Sequence, residues 1–201
     1  MIKRAFDFGC AAVGLLLLAP LLVGIAIWIK VDSPGPAFYR GVRTGWKGVP
    51  FRIFKFRTMV VNAEQIGGPS TGRNDARVTR AGRFLRRYKL DELPQLLNVL
   101  TGDMSLVGPR PEVPQYTALY EGDEKLILSL RPGITDLSSL EFIELAEVLG
   151  DHDPDGVYER EVRPVKNALR VKYVRQRSFW GDFVILMKTV ARLFRRRACS
   201  M

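Results

Sequence analysis

The 201-residue chain is long enough for one well-packed domain and too short for two large ones. Its 31 Lys and Arg against 21 Asp and Glu give a net charge of +10, which suits an anionic partner: nucleic acid, a phosphorylated metabolite or anionic lipid. Two cysteines make no disulfide framework, and the single histidine, His152, argues against a histidine-based metal site or a serine–histidine relay, so chemistry falls to carboxylates, Lys and Arg.

From Gly9 to Ile29 the chain reads GCAAVGLLLLAPLLVGIAIWI, 21 residues without a charge. As a straight helix this run reaches about 32 Å, against a hydrocarbon core of about 30 Å. It exceeds a signal-peptide core and carries no small-residue cleavage site of the usual kind. The chain is therefore expected to be held in a membrane. Pro20 falls in the middle, where it removes a backbone donor. Lys3 and Arg4 precede the run, and Lys30, Arg40, Arg43 and Lys47 follow it. The preference of basic flanks for the cytoplasm would keep both ends on one side. Two topologies stay open: a helix broken at Ala19 and Pro20 that enters and leaves by the same face, and a kinked span.

VDSPGPAFYRG then turns the chain out of the membrane, and VPFRIFKFRTM reads as a short strand or hairpin. At least two of Arg52, Lys55 and Arg57 are expected on a solvated strand face. The Gly, Ser and Asn content of residues 62–77 predicts a mobile loop. VTRAGRFLRRYKL is an amphipathic helix suited to acidic headgroups. Leu93, Leu96, Leu97 and Leu100 give the spacing of a buried helix face, with Pro94 in its first turn and Gly102 as its stop. SLVGPRPEVP is extended. The last segment sets Phe183, Ile185, Leu186, Met187, Val190 and Phe194 beside Lys188, Arg192 and Arg195 to Arg197, a basic amphipathic helix for a membrane surface or for the domain itself.

Asp91 and Glu92 thus stand at or just before a helix N-terminus, where acids are ordinary caps. Their surroundings suggest more. Arg86 and Arg87 lie just before them, and Arg110 and Arg131 sit in stiff, proline-flanked segments. Arginine forks bind phosphate, whereas carboxylates repel it unless a divalent cation intervenes. The combination points to Mg²⁺-assisted chemistry on a phosphate ester, in which a carboxylate can itself attack phosphorus. DHDPDG, beginning at Asp151, starts like a calcium loop, but its twelfth position is Val162 where a bidentate Glu is required. GVRTGWKG lacks phosphate-loop spacing, and no zinc pattern exists.

FKFRTM, DARVTRAGRFLRR, LDELPQLLNVLTGDMSLVGPRP and RPGIT, in this order, resemble the bacterial sugar transferases, the monotopic phosphoglycosyl transferases. The resemblance runs to about Thr135 and more weakly through YVRQRSFWGDFVIL. It implies an α+β chain, with residues 1–31 as a re-entrant membrane helix bent at Ala19 and Pro20. Residues 32–201 would then be a mostly helical catalytic domain with a small β-hairpin and interfacial helices. It implies that Asp91 attacks the β-phosphate of a UDP-sugar, releasing UMP, and that a polyprenyl (undecaprenyl) phosphate then takes the phosphosugar. Glu92, with Asp91, would hold Mg²⁺, and Lys55, Arg86, Arg110 and Arg131 would serve the phosphates or nucleotide. The implied place is the cytoplasmic face of the bacterial inner membrane, at the first membrane step of glycoconjugate or exopolysaccharide assembly. Three departures stand out: Ala19 where many relatives carry Ser, DLSSLEF after RPGIT, and basic residues near Arg170 to Tyr173 where an acid is common.

Other readings are a metal-dependent membrane phosphoesterase and a non-catalytic basic membrane scaffold. A nucleic-acid partner is not expected, because the aromatics fall in core or membrane positions instead of interleaving with surface cations. Membrane lipids are expected partners, and a homodimer through the basic face stays open.

Overall fold

The computed structural model describes residues 2–68, 70–72, 74–142, 145–150 and 152–198, with side chains as far as residue 192 at that end. A long helix, α1 (Ile2–Asp32), leads into four short strands: β1 (Phe38–Tyr39), β2 (Val42–Thr44), β3 (Pro50–Arg52) and β4 (Lys55–Phe56). Next come α2 (Ala63–Ile66), α3 (Arg80–Arg87) and α4 (Gln95–Thr101), then β5 (Ser105–Val107), α5 (Pro114–Thr117) and β6 (Gly133–Thr135). The rest is helical: α6 (Leu137–Glu141), α7 (Leu145–Leu149), α8 (Pro154–Val157), α9 (Arg163–Gln176) and α10 (Phe179–Ala198). A wider turn over Tyr158–Val162 joins α8 to α9.

The strands make small sheets of mixed kind. β1 pairs antiparallel with β4 and β2 with β3, and the Ile53 amide bridges to the Gly41 carbonyl at 3.0 Å, so residues 38–56 form one bent hairpin. β5 pairs parallel with β6, Ser105 opposite Gly133 and Val107 opposite Thr135. The mixed, mainly helical architecture agrees with the α+β expectation.

α1 runs unbroken through Ala19 and Pro20 instead of dividing there. Proline deletes only one intrahelical hydrogen bond, and the Leu- and Ala-rich neighbours are strong helix formers. One stripe of the helix packs on the rest of the protein along its whole length. Near its start, Ala11 joins Val99, Met104, Leu106 and Ile185 in the main core. Near its end, Ile25 and Ile29 join Phe56 and Leu85. Polar contacts pin both ends. Arg4 donates to the Val99 and Leu100 carbonyls at 2.5 and 3.0 Å, capping the C-terminus of α4. Asp7 accepts from the Ser105 hydroxyl at 2.7 Å, and Lys3 pairs with Asp182 at 2.6 Å. At the other end Asp32 accepts from the Ala81 amide at 3.0 Å, and Arg57 donates to the Ser33 carbonyl at 2.8 Å and to that of Pro34. The opposite stripe is bare and apolar, with Leu16 77% and Leu17 74% exposed.

Two expectations change. Of Arg52, Lys55 and Arg57 only Arg52 is exposed, because Arg57 is drawn under the end of α1 and Lys55 into an acidic pair. In the Gly- and Ser-rich stretch before Val78, Arg77 donates to the carbonyls of Ala63, Gly68 and Ser70 at 3.2, 2.9 and 3.1 Å and pairs with Asp75 at 2.6 Å. The leucines of α4 are half-buried against α1, while Gln95 and Asn98 on another face are fully buried. Of the calcium-like run, Asp151 lies outside the described residues; Asp153 caps α8 by accepting from the Gly156 amide at 3.0 Å, and Asp155 accepts from the Ser70 amide at 2.9 Å.

α10 packs on the domain by one face and exposes apolar side chains on another. Ile185 is buried and the Thr189 and Thr135 hydroxyls meet at 2.8 Å, whereas Phe179, Trp180, Phe183 and Met187 face outward. The side chains of Phe194 and Arg195 to Arg197 lie outside the described residues.

Two glycines hold the middle of the fold together. The backbones of Gly108 and Gly133 touch, so a Cβ on Gly133 would sit 2.1 Å from the Gly108 nitrogen. Gly133→Ala is expected to cost about 1–3 kcal/mol of stability, as overpacking against a rigid neighbour does. Chemical denaturation in detergent measures this, and an unchanged midpoint would show that the two segments part without cost.

Candidate active site

α3 ends at Tyr88, and Lys89 turns the chain in a left-handed conformation, φ 55°. That conformation costs a non-glycine residue on the order of 1–2 kcal/mol. Its effect is to start a tight turn, Leu90–Glu92, that drives Asp91 inward and leaves Glu92 beside it. Leu90 anchors the turn against the apolar cluster at the end of α1.

Asp91 is 1% exposed. Its Oδ2 lies 2.8 Å from Lys55 Nζ, which also reaches Glu92 Oε1 at 3.7 Å. Lys55 stands on β4, held by the pairing of that strand with β1. Arg110 follows β5 and forks onto Glu92: Nη1 donates to Oε2 at 2.9 Å and Nη2 to Oε1. Its Nη1 also donates to the Ile134 carbonyl at 3.0 Å. Arg86, from the last turn of α3, donates to the Thr58 hydroxyl at 2.8 Å and interacts electrostatically with Asp91.

The electrostatics follow from this crowding. Burial by itself would raise the Glu92 carboxyl, but Arg110, Lys55 and Lys89 outweigh it and hold the group far below the usual carboxylate range. Burial would lower the Arg110 guanidinium, and Glu92 outweighs it, so that group is raised. Arg86 and Lys89 are both lowered, chiefly by burial. Asp91 differs from its neighbour in one respect. Its Oδ1 is buried and has no hydrogen-bond partner. Buried polar atoms are nearly always satisfied, so an unpartnered carboxylate oxygen amid cations leaves this acid with an acceptor open to a ligand.

The structure brings together five of the six predicted polar site residues: Asp91, Glu92, Lys55, Arg86 and Arg110. Arg131 is placed otherwise. Its Nε donates to the Gly102 carbonyl at 2.9 Å and its guanidinium lies 4.5 Å from the Trp46 ring centroid. Two residues were missed. Lys89 is adjacent in sequence but shows its role only through its backbone turn. Gln95 is 1% exposed with both amide atoms unpartnered, on the same helix face as Asn98, which donates to the Arg52 carbonyl at 3.0 Å and accepts from the Phe54 amide at 2.7 Å. The 91, 95, 98 spacing, which marks that face, was hidden by the more visible leucines.

Among the described residues no three acids, histidines or cysteines converge as a self-sufficient metal cage. Mg²⁺ does not require one, since it is commonly held by one or two carboxylates and completed by substrate phosphates and water. The unpartnered Asp91 Oδ1 fits that mode, with Glu92 able to contribute once Arg110 yields one of its oxygens.

The family model for bacterial sugar transferases matches residues 1–196. The chain is 39% identical over 202 residues to a UDP-glucose:undecaprenyl-phosphate glucose-1-phosphate transferase of Caulobacter vibrioides, covering 95% of this chain and 69% of that protein. It is 40% identical to the protein of the same name in Escherichia coli K12, covering 98% of this chain and 41% of the relative. A Salmonella typhimurium undecaprenyl-phosphate galactose phosphotransferase is 37% identical, with 97% and 41% covered. The chain thus spans less than half the length of the latter two. With the ordered motifs, the paired acids among cations and a match along nearly its whole length, this chain belongs to the bacterial sugar transferase family.

Proposed function

We propose that this protein is a phosphoglycosyl transferase that moves a sugar-1-phosphate from a UDP-sugar to undecaprenyl phosphate and releases UMP. The reaction runs through a phosphosugar carried on Asp91, as the first membrane step of glycoconjugate assembly. The observation that carries this reading is the Asp91 carboxylate itself: buried, held at one oxygen by Lys55, and unpartnered at the other. A nucleophile must be aimed and must have a lone pair free; this carboxylate meets both conditions.

In the first step an oxygen of Asp91 bonds to the β-phosphorus as the bond to the bridging oxygen breaks, and UMP leaves with that electron pair. In the second step a phosphate oxygen of the lipid attacks the same phosphorus. The acyl-phosphate bond breaks and the Asp91 carboxylate returns. Both steps pass charge among several anions, so fixed cations are the main requirement. Lys55, Arg86, Lys89 and Arg110 surround the place where that charge develops. Asp91 and Glu92 would hold Mg²⁺, which when bound would draw charge from the diphosphate oxygens.

Topology supports the same reading. A helix of about 46 Å with both ends pinned to one body cannot easily set its ends on opposite sides of a bilayer. Its bare apolar stripe, with the outward aromatics of α10, suits a monotopic protein bedded in one leaflet. Basic residues flanking α1 favour the cytoplasmic face, where the lipid phosphate would meet the dyad.

Intact-protein mass after mixing with Mg²⁺ and a panel of UDP-sugars, without lipid, is expected to rise by one phosphosugar and to stay unchanged in Asp91→Asn. No adduct, and no UMP release when undecaprenyl phosphate is added, would sink the reading; free inorganic or sugar phosphate would favour a phosphoesterase. The placement of the arginines gives a second expectation. Arg110→Ala should slow phosphosugar transfer by about 10²–10³, as loss of one charge-stabilising donor does, while Arg131→Ala should cost under about tenfold. Equal losses would return Arg131 to the reacting site.

A further inference from the structure

We propose that Asp136, Glu112 and Arg170 form a buried clamp that positions Arg110, and through it sets Glu92 beside Asp91; the inference rests on the dyad being the reacting centre. Arg110 lies between Pro109 and Pro111, which have no N–H, so its own amide is the one backbone donor of those three residues. That amide donates to Asp136 Oδ2 at 3.0 Å. Asp136 is itself immobile: fully buried, it also accepts from the Ser138 hydroxyl at 2.8 Å and the Ser139 amide at 2.6 Å, capping α6.

Arg170 reaches the same carboxylate from α9, Nε to Oδ2 at 3.6 Å, and its Nη2 donates to Glu112 Oε1 at 2.8 Å. The Tyr158 hydroxyl donates to that Glu112 oxygen at 2.5 Å, and Arg170 Nη1 donates to Asn167 Oδ1 at 3.2 Å. One guanidinium thus joins two carboxylates, one holding the backbone of Arg110 and the other two residues beyond it. With its backbone fixed, the Arg110 side chain takes the Ile134 carbonyl and both Glu92 oxygens.

An ion network this deep is a poor device for stability alone. Apolar side chains of similar volume commonly serve as well or better. What such a network provides is aim, and a guanidinium fork can link two carboxylates where an ammonium cannot. Burial would raise Asp136 and Glu112, but Arg170 together with the Ser139 and Arg110 donors on Asp136, and with Lys166 and Tyr158 on Glu112, lowers both. Lys166 also faces Glu112, and burial brings it down to about 8.

Hydrogen exchange of the full-length protein in detergent reads the clamp without reference to catalysis. In Arg170→Met and Asp136→Asn, the segment over Arg110 should exchange about tenfold faster or more, while α4 keeps its protection. Arg170→Lys should fall between. Protection unchanged in any folded variant, or lost evenly throughout, would overturn the clamp. Single-turnover transfer then tests positioning. The rate should fall with the KM for UDP-sugar altered by less than about threefold.

A transfer rate unchanged in a variant whose Arg110 segment has lost its protection would reduce the network to a structural part. If wild type is silent with every UDP-sugar, the proposed activity falls, and the exchange measurement decides the clamp alone.

Discussion

Adjacent buried carboxylates repel each other and lose the solvation that would screen them, so Asp91 and Glu92 can stay side by side only if cations stand at fixed places around them. Much of the fold can be understood as the means of fixing those places. Lys55 is brought by a hairpin strand, Arg86 by the last turn of α3, Lys89 by a strained turn, and Arg110 by the exit from β5. These four come from three separate parts of the chain, Arg86 and Lys89 sharing one, and none is a surface charge that happened to lie nearby. Their excess leaves the site positive even after both acids are counted, which suits an anionic ligand.

The same economy of position links the site to the membrane. The apolar cluster that seats Leu90, and with it the turn carrying Asp91, is made by Ile25 and Ile29 of α1. The other end of α1 caps α4, the helix into which the dyad runs. The apolar helix is therefore a wall of the site as well as an anchor. Its burial along one stripe and exposure along the other leave an apolar face beside the element that seats the dyad.

Much of this was legible in the sequence, for physical reasons that can be named. The uncharged run, the proline start and glycine stop of α4, and the acids before it are local signals, and each appears where its spacing puts it. Arg86 and Lys55 were assignable by resemblance, and the structure brings both to the dyad. What failed were inferences from composition. The composition of a Gly- and Ser-rich stretch does not reveal that one arginine, Arg77, collects three carbonyls along it. A basic strand looks solvated until Arg57 is seen to cap the end of α1. Arg131 and Arg110 share a proline-flanked setting, yet only one reaches Glu92. That difference depends on side-chain direction, which flanking prolines do not reveal.

The departures from the family's common pattern gain a meaning in three dimensions. The segment after RPGIT begins with Asp136, and the later stretch that turns basic includes Arg170. In the sequence these lie far apart and look like independent changes. In the fold the acid and the base face each other at 3.6 Å, both nearly without exposure. Each also has partners of its own, Ser138 and Ser139 for Asp136 and Glu112 for Arg170, so removing either residue would weaken the network without leaving the other wholly unpaired. The two segments that depart from the common pattern are thus in contact, and together they hold the backbone of Arg110 from behind.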